Sequence, residues 1–162
     1  MEPLLYYKGY KHKTKQFIMK FATLLLLTTL SASTYAQKSE IFTNKGIAVK
    51  GYDVVAYFEE SKPVKGSKEH QLKWKDAIWY FSSAENLAKF KEEPQRFAPQ
   101  YGGYCAYAVA NGSTAPIDPD AWSIVDNKLY LNFNKSIQKK WEANTTQHIN
   151  QADQNWPKVL MK

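Results

Sequence analysis

One cysteine in 162 residues leaves little scope for crosslinking. A lone Cys105 excludes an intramolecular disulfide and any zinc site made only of thiolates. No Cys-x-x-Cys dithiol is present, so a redox cycle at Cys105 needs a thiol from outside the chain. Met-rich runs of the kind used by exported copper carriers are missing as well. Ser82, Ser83 and Ser123 lack the Gly-x-Ser-x-Gly context of a hydrolase nucleophile. Glu59-Glu60 and Glu92-Glu93 stand beside chain breakers and read as solvated ends, not as a glycosidase pair. Neither an internal repeat nor a low-complexity linker divides the chain.

A charged fraction of 23% and an aromatic fraction of 15% exclude a wholly disordered chain, a collagen-like repeat and a coiled coil. The net charge of +7 raises nucleic acid as a partner, and its placement argues against one. Residues 1–36 carry Lys8, Lys11, Lys13, Lys15 and Lys20 against Glu2, which leaves 17 basic and 14 acidic side chains in residues 37–162. That near balance is not a nucleic-acid footprint.

Met19-Lys20 precedes a ten-residue apolar core, residues 21–30, and small residues ending in Thr34-Tyr35-Ala36. This order is that of a secretory signal cut after Ala36, with translation starting at Met1 or Met19. The run is far shorter than the roughly 20 apolar residues a bilayer core requires. The expected product is a soluble, periplasmic or extracellular protein of residues 37–162, with no lipid-anchor Cys and no membrane-embedded segment.

In that region the pattern predicts one α+β domain: a small antiparallel sheet of aromatic-rich hairpins packed against several helices. His70-Gln71-Leu72-Lys73-Trp74 and Ala77-Ile78-Trp79-Tyr80-Phe81 flank Lys75-Asp76 as one hairpin. Trp122-Ser123-Ile124-Val125 and Leu129-Tyr130-Leu131-Asn132-Phe133 flank a second turn, after a loop over residues 116–120 in which Asp118 and Asp120 are turn formers. Asp53 is placed to cap a short helix or turn over residues 54–58. Ser82-Ser83-Ala84-Glu85 has capping-box spacing for a helix carrying Leu87 and Phe90 and ending near Pro94. Asn134 caps a final helix with Ile137, Trp141, Ile149 and Trp156 inward, weakened at Asn144-Thr145-Thr146 and ended by Pro157.

The most informative stretch is Gln100-Tyr101-Gly102-Gly103-Tyr104-Cys105-Ala106. A thiol after a double-glycine loop, at the start of a helix, is expected to have its pKa lowered by the helix N-terminus. The packing alternative is a small buried hydrophobe. Cu(I) favours thiolate, imidazole and thioether donors, so Cys105, His70, His148 and Met161 are candidate soft-metal ligands, with Asp53 an oxygen donor. By pattern alone His70, on an alternating strand, and His148, on a polar helix, also fit ordinary surface positions. Tyr52, Tyr57, Tyr101, Tyr104, Tyr107, Trp74, Trp79 and Trp122 are either a stacking pocket for a flat ligand or sugar, or the core itself.

Gly51-Tyr52-Asp53-Val54-Val55-Ala56-Tyr57-Phe58, then Trp79-Tyr80-Phe81-Ser82-Ser83-Ala84-Glu85-Asn86 with Phe90, Pro94 and Phe97, then Tyr101-Gly102-Gly103-Tyr104-Cys105-Ala106 occur in that order. Over about residues 46–156 the chain resembles the exported YHS-domain proteins. The resemblance implies a metallochaperone-like α+β module, with Tyr101, Gly102, Gly103 and Tyr104 as the motif loop. The cysteines by which other members hold metal at the strand-to-helix turn are missing from Phe81-Ser82-Ser83-Ala84-Glu85-Asn86. The resemblance also implies that the Cys105 position takes selenocysteine in some members, which points to redox chemistry or soft-metal binding.

The combined expectation is an exported binding module, closer to a carrier than to an enzyme, that takes copper or another soft metal at Cys105 and meets an exported metalloprotein partner. The alternatives are a thiol-dependent redox protein using the same Cys and a structural domain with an inert thiol.

Overall fold

The computed structural model describes residues 37–161; the segment expected to be a secretory signal and the two candidate starts lie outside the described residues. The strands are β1 (Thr43–Asn44), β2 (Ile47–Ala48), β3 (Ser67–Trp74), β4 (Ala77–Phe81), β5 (Asp118–Val125) and β6 (Lys128–Asn132). The helices are α1 (Ala56–Glu59), α2 (Ala84–Glu92), α3 (Pro94–Phe97), α4 (Ala106–Ala110), α5 (Lys135–Glu142) and α6 (Thr145–Asn155). The α+β class is as expected.

Each hairpin closes through two residues with positive φ: Lys45-Gly46, Lys75-Asp76 and Asp126-Asn127. Left-handed backbone at both turn residues matches the twist of the flanking strands, so these turns set the register. Trp74 pairs with Ala77, and Val125 with Lys128. The sheets depart from a single antiparallel one. Four strands form one sheet in the order β1-β2-β4-β3, with β2 parallel to β4 through Ile47 and Ile78, while β5 and β6 pair separately. The parallel pair exists because Ile78 N–H donates to the Gly46 carbonyl, 2.9 Å away, which sets the short β2 along the inner strand.

Two apolar clusters form the interior. The first gathers Val54, Tyr57, Trp79, Phe81, Phe90, Phe97 and Ile117 between the large sheet and α2. Trp74, Trp79 and Phe81 each meet Phe90 with ring centroids 5.1 to 5.5 Å apart, contacts of about 1 kcal/mol each beyond area burial. The second gathers Tyr101, Tyr104, Val109, Tyr130, Trp141, Val159 and Leu160 around α4, α5 and α6. Strand β6 serves both: Leu129 and Leu131 belong to the first cluster and Tyr130, on the opposite face, to the second.

Local details correct the sequence reading in four places. Ser83, not Ser82, caps α2, its Oγ accepting from Asn86 N at 3.1 Å, because Ser82 is held by Asp53. The expected single C-terminal helix is two, α5 and α6, broken at Asn144, where the backbone turns out of helical geometry. Residues 118–120 lie in β5, not in a loop, although Asp118 Oδ1 still accepts from Asp120 N at 3.0 Å as a local turn would. The short helix after Asp53 is shifted to Ala56–Glu59. Asn134 caps α5 as expected, accepting from Ile137 N at 2.9 Å.

Candidate functional site

Two features bring the motif residues together: the buried surroundings of Cys105 and the loop that precedes it. The loop Gln100–Gly103 makes a left-handed turn, with φ of 55° at Tyr101, 60° at Gly102 and 79° at Gly103. A Cβ on Gly102 would stand 1.8 Å from the Glu40 carbonyl oxygen, so the position admits only glycine without movement. Gly102 O accepts from Phe42 N at 2.9 Å, and Tyr104 Oη donates to Ser39 O at 2.9 Å. Tyr101 Oη donates to the Asp153 carboxylate at 2.8 Å, and burial pushes its pKa well up. The motif loop is thereby tied to residues 39–42 on one side and to α6 on the other.

Cys105 follows as the residue before α4 and is 1% exposed. Its sulfur lies 3.7 Å from Asn132 Oδ1, an oxygen that also accepts from Tyr107 N at 3.2 Å. Backbone N–H groups of Ala108, Phe133 and Tyr107 bear on the sulfur and favour the thiolate. Burial outweighs them, and the thiol pKa is raised, opposite to the lowering expected from position alone. The Asn132 side chain is fully buried and its Nδ2 has no hydrogen-bond partner among the described residues. Trp141 Nε1 is likewise unpartnered.

The histidines are not gathered with the thiol. His70 is half-buried on β3, and His148 is half-buried on α6, its Nδ1 2.9 Å from the Trp141 carbonyl and its ring 5.1 Å from that of Tyr107. Met161 is exposed. Among the described residues no group of three or more His, Cys, Asp or Glu side chains is placed to hold a metal ion.

Asp53 is committed elsewhere. Its Oδ1 accepts from Val55 N at 2.9 Å and Ala56 N at 3.4 Å, and its Oδ2 from Ser82 N at 2.8 Å, Ser82 Oγ at 2.7 Å and Asn86 Nδ2 at 2.8 Å. With its acceptor capacity filled, the carboxylate acts as a clasp between α1 and the start of α2. Tyr57 is core: its hydroxyl donates to Pro119 O at 2.9 Å, and its ring meets Trp122 with centroids 5.4 Å apart.

Of the eight aromatics of the stacking alternative, Tyr57, Trp79, Tyr101 and Tyr104 are buried, and Tyr52, Trp74, Tyr107 and Trp122 are half-buried. Trp74 and Tyr101, together with Trp156, border a cleft of about 140 Å³ beside the motif loop. No spacing rule links positions 74, 100 and 156, so only the fold reveals that juxtaposition.

Compared with known proteins, the chain matches no family model, no curated protein and no solved structure. Among the described residues no helix is long and apolar enough to cross a membrane.

Proposed function

We propose that this chain is an exported binding module of the YHS type that takes a soft metal ion, Cu(I) first, through Cys105 and shares it with an exported metalloprotein partner. The observation that carries the reading is the polar side chain set against the buried thiol: Cys105 Sγ lies 3.7 Å from Asn132 Oδ1, and the Nδ2 of the same buried amide has no hydrogen-bond partner among the described residues. A bound cation would supply the charge that burial otherwise denies the thiolate. The raised thiol pKa gives less support to the redox alternative, which needs thiolate at neutral pH.

A second reading rests on burial itself. At 1% exposure, Cys105 fits a structural thiol packed within the first apolar cluster.

One experiment separates them. The purified protein and its Cys105→Ser variant are equilibrated anaerobically with Cu(I) and a competing chelator, with hours allowed for entry to a buried site. One Cu(I) per chain, lost in the variant, supports the metal reading. Equal, poor binding by both overturns it, and a loss of about 1–2 kcal/mol in Cys105→Ala would then mark the thiol as packing.

A further inference from the structure

The segment that precedes β1 is exposed, yet its backbone braces the motif loop. Lys38 N donates to Leu160 O at 3.0 Å, Ser39 O accepts from Tyr104 Oη at 2.9 Å, and the Glu40 carbonyl packs over Gly102. Phe42 N, which donates to Gly102 O at 2.9 Å, completes the attachment. Every residue from 37 to 40 is exposed. A chain end placed here is open to exopeptidases, and each residue trimmed from it after the first removes a support from the loop.

Gln37 stands just outside that attachment. It is exposed, lies one position before the first backbone anchor at Lys38, and its side-chain amide has no polar partner among the described residues. The exported reading puts the cut between Ala36 and Gln37, so the new α-amine belongs to a glutamine. A free α-amine ordinarily titrates at about 7.7–8.0, so on the order of a tenth of it is nucleophilic free base at neutral pH. The side chain itself holds the amide carbon, Cδ, within reach of that amine, which gives the attack the advantage of an intramolecular reaction. The fold fixes Lys38 and makes no polar claim on the Gln37 side chain, so nothing competes with ring closure.

We propose that Gln37 of the exported chain closes on itself to form pyroglutamate. The amine nitrogen adds to Cδ and forms the lactam C–N bond, the Cδ–Nε2 bond breaks, and Nε2 leaves as ammonia with one proton from the amine. Nothing is oxidised or reduced. The step removes the positive charge of the chain end. It also removes the amine that aminopeptidases grip, which closes to trimming the run that braces Tyr104 and Gly102. The proposal rests on the exported reading and is independent of metal binding at Cys105.

The test expresses the full chain, with its own residues 1–36, in a bacterium and recovers the protein from outside the cytoplasm. Intact mass, and tandem mass spectrometry of the N-terminal fragment, are followed over weeks at neutral pH. The expected result is a chain that begins at residue 37 and is lighter by one ammonia, the loss lying in Gln37. Gln37→Asn, whose shorter side chain could close only a strained, smaller ring, is expected to keep both its ammonia and its amine. An aminopeptidase should then shorten Gln37→Asn and leave the cyclised wild type whole. A chain that begins at residue 37 and keeps its free amine overturns the proposal and leaves the exported reading standing. Retention of residues 1–36 overturns both, and a cut at any other residue overturns the proposal alone. The proposal is also overturned if Gln37→Asn loses ammonia from its first residue as fast as the wild type does. Equal resistance of the two chains to the aminopeptidase overturns the protective role.

Discussion

Gly102 and Glu40 meet so closely that the carbonyl oxygen of one occupies the space where the other would carry a side chain, 1.8 Å from an ideal Cβ. The contact fixes the segment before β1 against the motif loop and forms one wall of the tryptophan-bordered cleft.

Gly102→Ala is therefore expected to destabilise the fold by about 3 kcal/mol or more, because the backbone must move as well as accept a φ of 60°. Gly46→Ala is the matched control: its φ is 80°, and nothing stands within 4 Å of its Cβ position. Its cost should be only the conformational one, about 1–2 kcal/mol. Urea unfolding of the two variants checks the difference, and equal losses would show that crowding at Gly102 is relieved without strain.

Asp53 supports the second prediction. Its removal in Asp53→Ala leaves the donors of Val55, Ser82 and Asn86 without their acceptor in the interior, for an expected loss of about 3–5 kcal/mol. Asp53→Asn keeps one acceptor oxygen and should cost less, about 2 kcal/mol. Chemical denaturation is the measurement; a loss below about 1 kcal/mol in the alanine variant would mean that water takes over the clasp.

Stability should fall in alkali. Burial raises the pKa of Tyr57 and Tyr101, with Asp120 and Asp153 respectively adding to the shift, and burial pushes Tyr130 up to about 12. The folded state holds these protons more tightly than the unfolded chain, whose tyrosines ionise near pH 10. The contribution is complete below about pH 10 and is lost as pH rises through 12. Denaturant midpoints measured at intervals from pH 8 upward should stay level to about pH 10 and then decline. Tyr130→Phe should flatten part of that decline, and an unchanged profile would place the sensitivity in the other tyrosines.

Much of the fold was legible because its signals are local. The two long hairpins are written in alternating aromatic residues around Lys75-Asp76 and Asp126-Asn127, and the α5 cap is written in Asn134. The parallel pairing of β2 was not, since two residues carry no periodicity and Ile47 finds Ile78 only through the tertiary fold. The position of Cys105 before a helix was correctly read, yet its titration was not, because spacing reveals the helix amides and not the depth of burial. Asp53 could be recognised as a cap for the residues after it, whereas the reach of its second oxygen to Ser82 and Asn86, 29 and 33 positions away, has no sequence signature. The cleft is hidden for the same reason.

The alternation along β6 bears on how the molecule comes apart. Leu129 and Leu131 hold one apolar cluster while Tyr130 between them holds the other. Neither cluster can loosen without withdrawing a wall from its neighbour, so the two halves of the interior share one cooperative transition, and the slowest-exchanging amides should lie on this five-residue strand.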